Sequence, residues 1–385
     1  MRIALLTDGI TPYVTGGMQR HSFYLCKYLA QSGVYVDLYH CDPEKRGAAS
    51  LDCFTAEEKK FITSEVIEFP SFGKMPGHYI RESYEYSLRI FKRMKSHAAV
   101  DFIYAKGFTA WEILNQKSKG VKLPPVGVNF HGYEMFQPQP GFKNWLQAKF
   151  ILQSPVKFNV KHADCLFSYG GKITPLVESL GVDKKRIIEI STGIDDEWLV
   201  KESLPVHHPL KFLFVGRFER RKGTEELTTA IRNLPTAVRK QCSFAFIGPI
   251  PLMKRVPGCE YHGELTDRSE ISKVYRNADV LLVPSHSEGM PNVILEAMAS
   301  GVAIAATNVG AVGALVDSSN GWTIASATTN EIETTIRQIL NEDGDAITKK
   351  KSASRAKVKD GFMWNKIVQH TIDAVNRMIV QKSNT

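Results

Sequence analysis

Short apolar runs alternate with amphipathic stretches along most of the chain. RIALLTDG at 2–9 is an apolar run closing on a glycine turn, the pattern of a buried parallel strand. GMQRHSFYLCKYLAQSG then carries Phe23, Leu25, Tyr28 and Leu29 at helical spacing before Gly33, and VYVDLYHC supplies a second strand. The same rhythm continues through DFIYAKG, a helix over 109–118 and VGVNFHG. Strand–helix–strand alternation predicts an α/β protein with a doubly wound parallel layer over residues 1–190.

Residues 191–210 (STGIDDEWLVKESLPVHHPL) are polar, contain proline and lack periodicity, as a linker does. The rhythm restarts in KFLFVGR, SFAFIGP, VLLVPS and VAIAATN, which predicts a second Rossmann-like half over 211–360. FMWNKIVQHTIDAVNRMIV reads as an amphipathic helix over 361–380. Two such halves are expected to face each other across a cleft with their carboxyl strand ends, where ligands of these sheets bind.

With 385 residues, 43% apolar and 23% charged, the chain is long enough for two cores. A net charge of +9 favours an anionic partner without choosing among nucleic acid, lipid surface and phosphorylated small molecule. The six cysteines (Cys26, Cys41, Cys53, Cys165, Cys242, Cys259) form no C-x-x-C pair and read as reduced, buried thiols of a cytoplasmic protein. No signal-peptide core or membrane-spanning run is found, so the chain is expected to be soluble, with contact to a membrane face still open.

Candidate chemistry sits where predicted strands end. Gly16 and Gly17 precede the first helix, where their amides suit either an anionic group or a plain tight turn. VGRFERRKG sets Arg217 after a strand and Lys222 beside Gly223, two cations suited to a diphosphate; the alternative is a solvated basic loop, which Arg220 and Arg221 would also satisfy. His131 in FHGYE suits a ligand hydroxyl, proton transfer or a structural role. In PSHSEGMPNVILEAMASG, Glu288 lies in a loop and Glu296 inside a helix whose first turn holds Pro291, which leaves the amides of Asn292, Val293 and Ile294 for a ligand. The two carboxylates then address different parts of one long ligand.

Other chemistries lack parts. There is no G-x-G-x-x-G, P-loop, G-x-S-x-G or H-E-x-x-H, and the DGD triplet at 343–345 reads as a turn, not a Mg²⁺ site. GFKNWLQAKFILQSPVKFNVKH at 141–162 carries Lys143, Lys149, Lys157 and Lys161 and no acid, with Pro155 expected to split it into two helical pieces. Its Phe142, Trp145, Leu146 and Phe150 suit either core or a surface meeting anionic lipid. No nucleic-acid-binding module accompanies the charge.

Together, GG before the first helix, HG after a first-half strand, VGR…KG and E-G-x-P-N-x-x-x-E-A-M-A-x-G resemble the retaining GT-B glycosyltransferases of family 4, the glycogen-synthase and sucrose-synthase-like group. The resemblance implies a UDP- or GDP-sugar donor held mainly by the second half. Arg217 and Lys222 would neutralise the diphosphate and Glu296 would accept from the ribose hydroxyls. Glu288, with Gly289, Met290, Asn292 and Val293, would hold the sugar. Gly16 and Gly17 would add amides to the phosphate, and His131 would contact the sugar near its reacting face. It also implies no cofactor or metal, since Arg and Lys replace one, and a last helix that crosses back to the first domain. The acceptor is expected to be a lipid-linked glycan in cell-surface polysaccharide assembly, with a soluble acceptor and a non-catalytic nucleotide-sugar-binding protein as alternatives. The chain departs from the family pattern at Ala303, Ala311 and Ala314, which stand where proline, glycine and glutamate are usual.

Overall fold

The apolar runs form thirteen strands in two all-parallel sheets of a computed structural model that describes residues 1–47, 51–73, 77–138, 146, 148–203 and 205–383. The first sheet holds β1 (Arg2–Leu6), β2 (Tyr35–His40), β3 (Ile62–Val66), β4 (Phe102–Lys106), β5 (Val126–Asn129), β6 (Cys165–Ser168) and β7 (Ile187–Glu189), in the order β3-β2-β1-β4-β5-β6-β7. The second holds β8 (Leu210–Val215), β9 (Cys242–Ile247), β10 (Glu260–Gly263), β11 (Val280–Val283), β12 (Ala303–Thr307) and β13 (Gly321–Ile324), in the order β10-β9-β8-β11-β12-β13. Helices on both faces explain why the inner strands are apolar throughout rather than alternating. β4 is buried along its whole length, its terminal lysine included.

The chain divides into two units, one of Met1–Phe136, Lys143–Thr192 and Trp364–Thr385, the other of Gln137–Phe142 and Gly193–Met363. The helix Trp364–Ser383 thus belongs to the first unit, where Trp364 is buried, stacks on Tyr24 and Tyr28, and sets its edge against His21. Within 191–210, Leu210 already pairs as the first residue of β8, because its side chain enters the second core. Pro155 does not divide its segment. A π-helical turn at Ala148–Leu152 runs into the helix Gln153–His162, and Pro155 sits in that helix's first turn, where its missing N–H costs nothing. All six cysteines are free, four of them buried.

The second unit is pinned by one buried charge. Asp279, fully buried before β11, accepts from Lys351 Nζ at 2.8 Å, His207 Nδ1 at 3.0 Å and the backbone amides of His207 and Lys211. It joins the linker, two strands and the helix Gly344–Gly361. Lys351→Met would leave that carboxylate without its buried cation. The expected loss is about 3–5 kcal/mol of stability in denaturant unfolding; a loss below about 1 kcal/mol would show that His207 and the amides suffice.

Candidate functional site

Both sheets reverse their strand order once, at β1/β4 and at β8/β11, and such reversals open a crevice at the carboxyl ends of the strands. Chemistry-bearing side chains gather at both.

In the second unit the loop after β8 carries Arg217 to Lys222, and the loop after β11 carries Ser285 to Pro291. Glu288 is 4% exposed. Its Oε1 accepts from Lys222 Nζ at 2.6 Å and Ser285 Oγ at 2.8 Å, and its Oε2 from Arg221 Nη1 at 3.3 Å. Burial opposes ionisation, but the charges of Lys222 and Arg221 and the two hydrogen bonds outweigh it and hold the carboxyl below its ordinary range. The loops also meet through their backbones, His286 N donating to Arg221 O at 2.8 Å. Gly223 allows this: its φ is +66°, and a Cβ there would lie 1.9 Å from Pro284 O.

Sequence reasoning placed Lys222 on a diphosphate and Glu288 on a sugar; the structure joins them as an ion pair. It also counts against the alternative of a solvated basic loop, because the Arg221 guanidinium reaches Glu288. Arg220 is drawn in as well, pairing with Glu226, whose Oε1 also takes His286 Nε2 at 3.0 Å. Arg217 is set apart, 71% exposed and bonded to Glu219 at 2.9 Å.

Pro291 is the N-cap of the helix Asn292–Ala299 rather than a residue of its first turn, and the Ile294 amide is taken by Pro291 O at 3.0 Å. The amides of Asn292 and Val293, in that first turn, lie ahead of any intrahelical acceptor. Glu296 is buried and accepts from the Tyr275 hydroxyl at 2.9 Å. Ala311 keeps the backbone contact of its segment, its amide donating to Gly289 O at 2.8 Å. Gly310 explains how: its φ is +55° and a Cβ would lie 2.1 Å from Glu288 O. Ala303 is buried in β12, and Ala314 lies in the short helix Val312–Leu315.

In the first unit Gly16 and Gly17 are exposed at the start of the helix Gly17–Gln31, which has no side-chain cap. His131 adopts φ +59°, held by its own amide's bond to Asn129 Oδ1 at 2.7 Å, and its Nδ1 lies 2.6 Å from the Tyr169 hydroxyl. Its Nε2 is sealed from solvent with no partner among the described residues. Two neighbours had no sequence motif to announce them. Lys106, the last residue of β4, is fully buried with Nζ 2.8 Å from His21 Nδ1. Burial drives the Lys106 pKa well down, and burial followed by the Lys106 charge does the same for His21 and His131. Asp8, bonded by Gln19 Nε2 at 2.8 Å, is pushed up to about 6 by burial.

Of the basic aromatic segment, Phe142, Lys143 and Trp145 lie outside the described residues. Phe150 is 68% exposed with Lys149 Nζ over its ring, and Leu146 is also exposed. No helix among the described residues is long and apolar enough to cross a membrane. No group of three or more His, Cys, Asp or Glu among them is placed to hold a metal ion.

Residues 15–198 match the model for Glycosyltransferase Family 4, and residues 209–342 that for Glycosyl transferases group 1. The chain belongs to glycosyltransferase family 4. Its two parallel Rossmann-like sheets are those of the GT-B fold, and sucrose-phosphate synthase from Thermosynechococcus elongatus superposes with TM-score 0.76 over 99% of both chains at 17% identity. Anabaena HepE, solved in complex with UDP and glucose, gives 0.66 over 97% of this chain and 99% of that one, also at 17% identity. A relative by sequence is the N,N'-diacetylbacillosaminyl-diphospho-undecaprenol alpha-1,3-N-acetylgalactosaminyltransferase of Campylobacter jejuni, 21% identical over 82% of this chain and 85% of its own. The chain spans about half the length of several other curated relatives that it matches.

The Asp8 carboxyl makes a testable demand on stability. Its folded pKa of about 6 lies above the ordinary 3.8, so between those values the folded chain keeps a proton that the unfolded chain releases. Stability therefore falls as pH rises through that window and stays lowered above it. Asp8→Asn keeps the Gln19 acceptor and removes the cost. Its melting temperature is expected to exceed wild type at about pH 8 and to match it below about pH 4; equal melting at both pH values would contradict the burial of this carboxyl.

Proposed function

We propose that the chain transfers a sugar, with retention of anomeric configuration, from a UDP- or GDP-sugar to a lipid-linked glycan in cell-surface polysaccharide assembly. The observation that carries this reading is the Glu288 carboxylate gripped by Lys222, Arg221 and Ser285 at the β8/β11 reversal. A nucleotide-sugar donor breaks its bond by expelling a diphosphate, and charge growing on that group is the main electrostatic barrier. Lys222 lies between two demands: in this structure it serves Glu288, and a diphosphate beside the loop would share it. Arg217, exposed on the same loop, would exchange its pairing with Glu219 for a bidentate grip on the phosphate oxygens. These cations take the part a metal ion plays in other transferases.

Glu288 and the backbone of Gly289 and Met290 face the sugar, with the amides of Asn292 and Val293 at the helix start adding donors. Glu296, oriented by Tyr275, takes the ribose hydroxyls. The first unit supplies Gly16, Gly17 and His131; burial keeps His131 a neutral imidazole, suited to hydrogen bonding. The departing phosphate removes the acceptor proton on the face it leaves, which gives retention without a protein nucleophile. The Campylobacter relative's named undecaprenol-linked acceptor and the exposed Phe150 with Lys149 support a lipid-linked substrate met at an anionic membrane face.

A thermal-shift series with UDP-, GDP- and ADP-sugars tests donor binding. A donor at 100 times its Kd is expected to add about 2.7 kcal/mol of stability, and no response to any of them would sink the reading. For Lys222→Ala, turnover is expected to fall by about 2–4 kcal/mol of transition-state stabilisation, with a comparable loss in Glu288→Ala. Unchanged turnover in both would remove the catalytic assignment, and an inverted product anomer would remove retention.

A further inference from the structure

Midway along the loop between β9 and β10 a single turn, Leu252–Lys254, holds two large apolar side chains out into solvent. Leu252 is 79% exposed and Met253 87%, the two most exposed large apolar side chains among the described residues. The loop carrying them is firmly built. Ile250 and Val256 on either side are buried in the second unit's core. Arg232 donates to Lys254 O at 2.9 Å, Arg239 to Pro257 O at 2.8 Å, and Arg255 to Ile250 O at 3.1 Å while lying over the Tyr261 ring. These guanidinium groups spend their hydrogen bonds on carbonyls, so their charge stays uncompensated. None of the three has an ion pair among the described residues. Only Lys254 has one, with Glu225 at 3.4 Å. The tip therefore projects from a collar of four cations, Arg232, Arg239, Lys254 and Arg255, against one carboxylate.

We infer that Leu252 and Met253 dock the second unit onto an anionic lipid surface, the side chains entering the acyl boundary while the collar meets the headgroup phosphates. Area and charge choose this occupant. A stable protein interface buries on the order of 1,200 Å² or more, far beyond two side chains, and a second copy would bring the same cations against these. A bilayer needs no complementary surface: a few apolar side chains and a basic rim act together in the interface. The tip also stands beside the donor loop, since Lys254 Nζ lies over the ring of Phe218, next to Arg217. The inference goes beyond the proposed transfer and does not need it.

Purified full-length protein should sediment with vesicles of phosphatidylglycerol and phosphatidylcholine in equal parts, more weakly with phosphatidylcholine alone, and less as salt rises. The double variant Leu252→Asp/Met253→Asp is expected to bind the mixed vesicles at least tenfold more weakly with its melting temperature unchanged, both positions being exposed. Arg232→Gln should weaken binding and flatten the salt dependence. Vesicle binding equal to wild type in the double variant would overturn the proposal. So would a loss confined to Phe150→Asp, which would place the contact in the first unit alone. Two further results would count against it: a monomer–dimer shift in the double variant, or loss of the UDP thermal shift with vesicle binding kept, which would make the tip a cover for the donor.

Discussion

A carboxylate removed from water has to be compensated where it stands, and in the second unit that requirement shapes the site. Glu288 is ionised and almost fully buried because two cations from the loop after β8 reach it. For them to do so, the two loops must approach backbone to backbone, which in turn needs glycine at 223, and glycine at 310 lets the loop after β12 close on the Glu288 carbonyl; at either position a Cβ would strike a carbonyl oxygen. The ion pair thus explains residues that carry no chemistry of their own. It also holds Lys222 and the loop of Glu288 in one fixed relation before any ligand arrives, the kind of preorganisation on which electrostatic catalysis depends.

The position of this arrangement follows from topology. In a parallel sheet the crossovers on one side of the reversal run in the opposite direction to those on the other, so the loops at the reversal part and leave room. β8 and β11 flank that point in the second sheet, β1 and β4 in the first. Lys222 and Glu288 come from the loops after β8 and β11. Asp8 and Lys106 come from the loop after β1 and the last residue of β4. Two sheets built on the same rule place their unusual side chains at the same point.

How much of this the sequence shows depends on the range of the interaction. The strands were legible because parallel strands buried on both faces are continuous apolar runs, and VLLVPS or KFLFVGR needs no partner to be read. Glu288, Glu296 and Lys222 were legible because glycine and proline fix their local setting. Arg221 was not, since a basic residue in a basic loop shows its purpose only when a carboxylate from a loop 67 positions away folds beside it, as the Ser287 and His286 contacts of this loop record. Lys106 was harder still. In DFIYAKG it reads as the polar residue that ends a strand, and only the neighbouring helix and the strand order show that the ammonium stays inside. Pro291 and Ile294 differ by one helix position from the pattern, the usual uncertainty of a helix start.

The two units meet opposite electrostatic problems in opposite ways. The second keeps its buried charge and surrounds it with charge: Glu288 with Lys222 and Arg221, Asp279 with Lys351. In the first unit no carboxylate among the described residues is paired with Lys106, His21 or His131. Lys106, His21 and His131 are each driven toward the neutral form, chiefly by burial, with the lysine's own charge opposing protonation of both imidazoles. Ion pairs can exchange one partner for an incoming anion with little change in net charge, which suits a group that must meet a diphosphate. Neutral nitrogens offer hydrogen bonds without attracting an anion, which suits contact with hydroxyl groups. Around these particular groups the two units therefore differ: Glu288 and Asp279 keep their charge inside ion pairs, while the nitrogens of Lys106, His21 and His131 are left to hydrogen-bond as neutral groups.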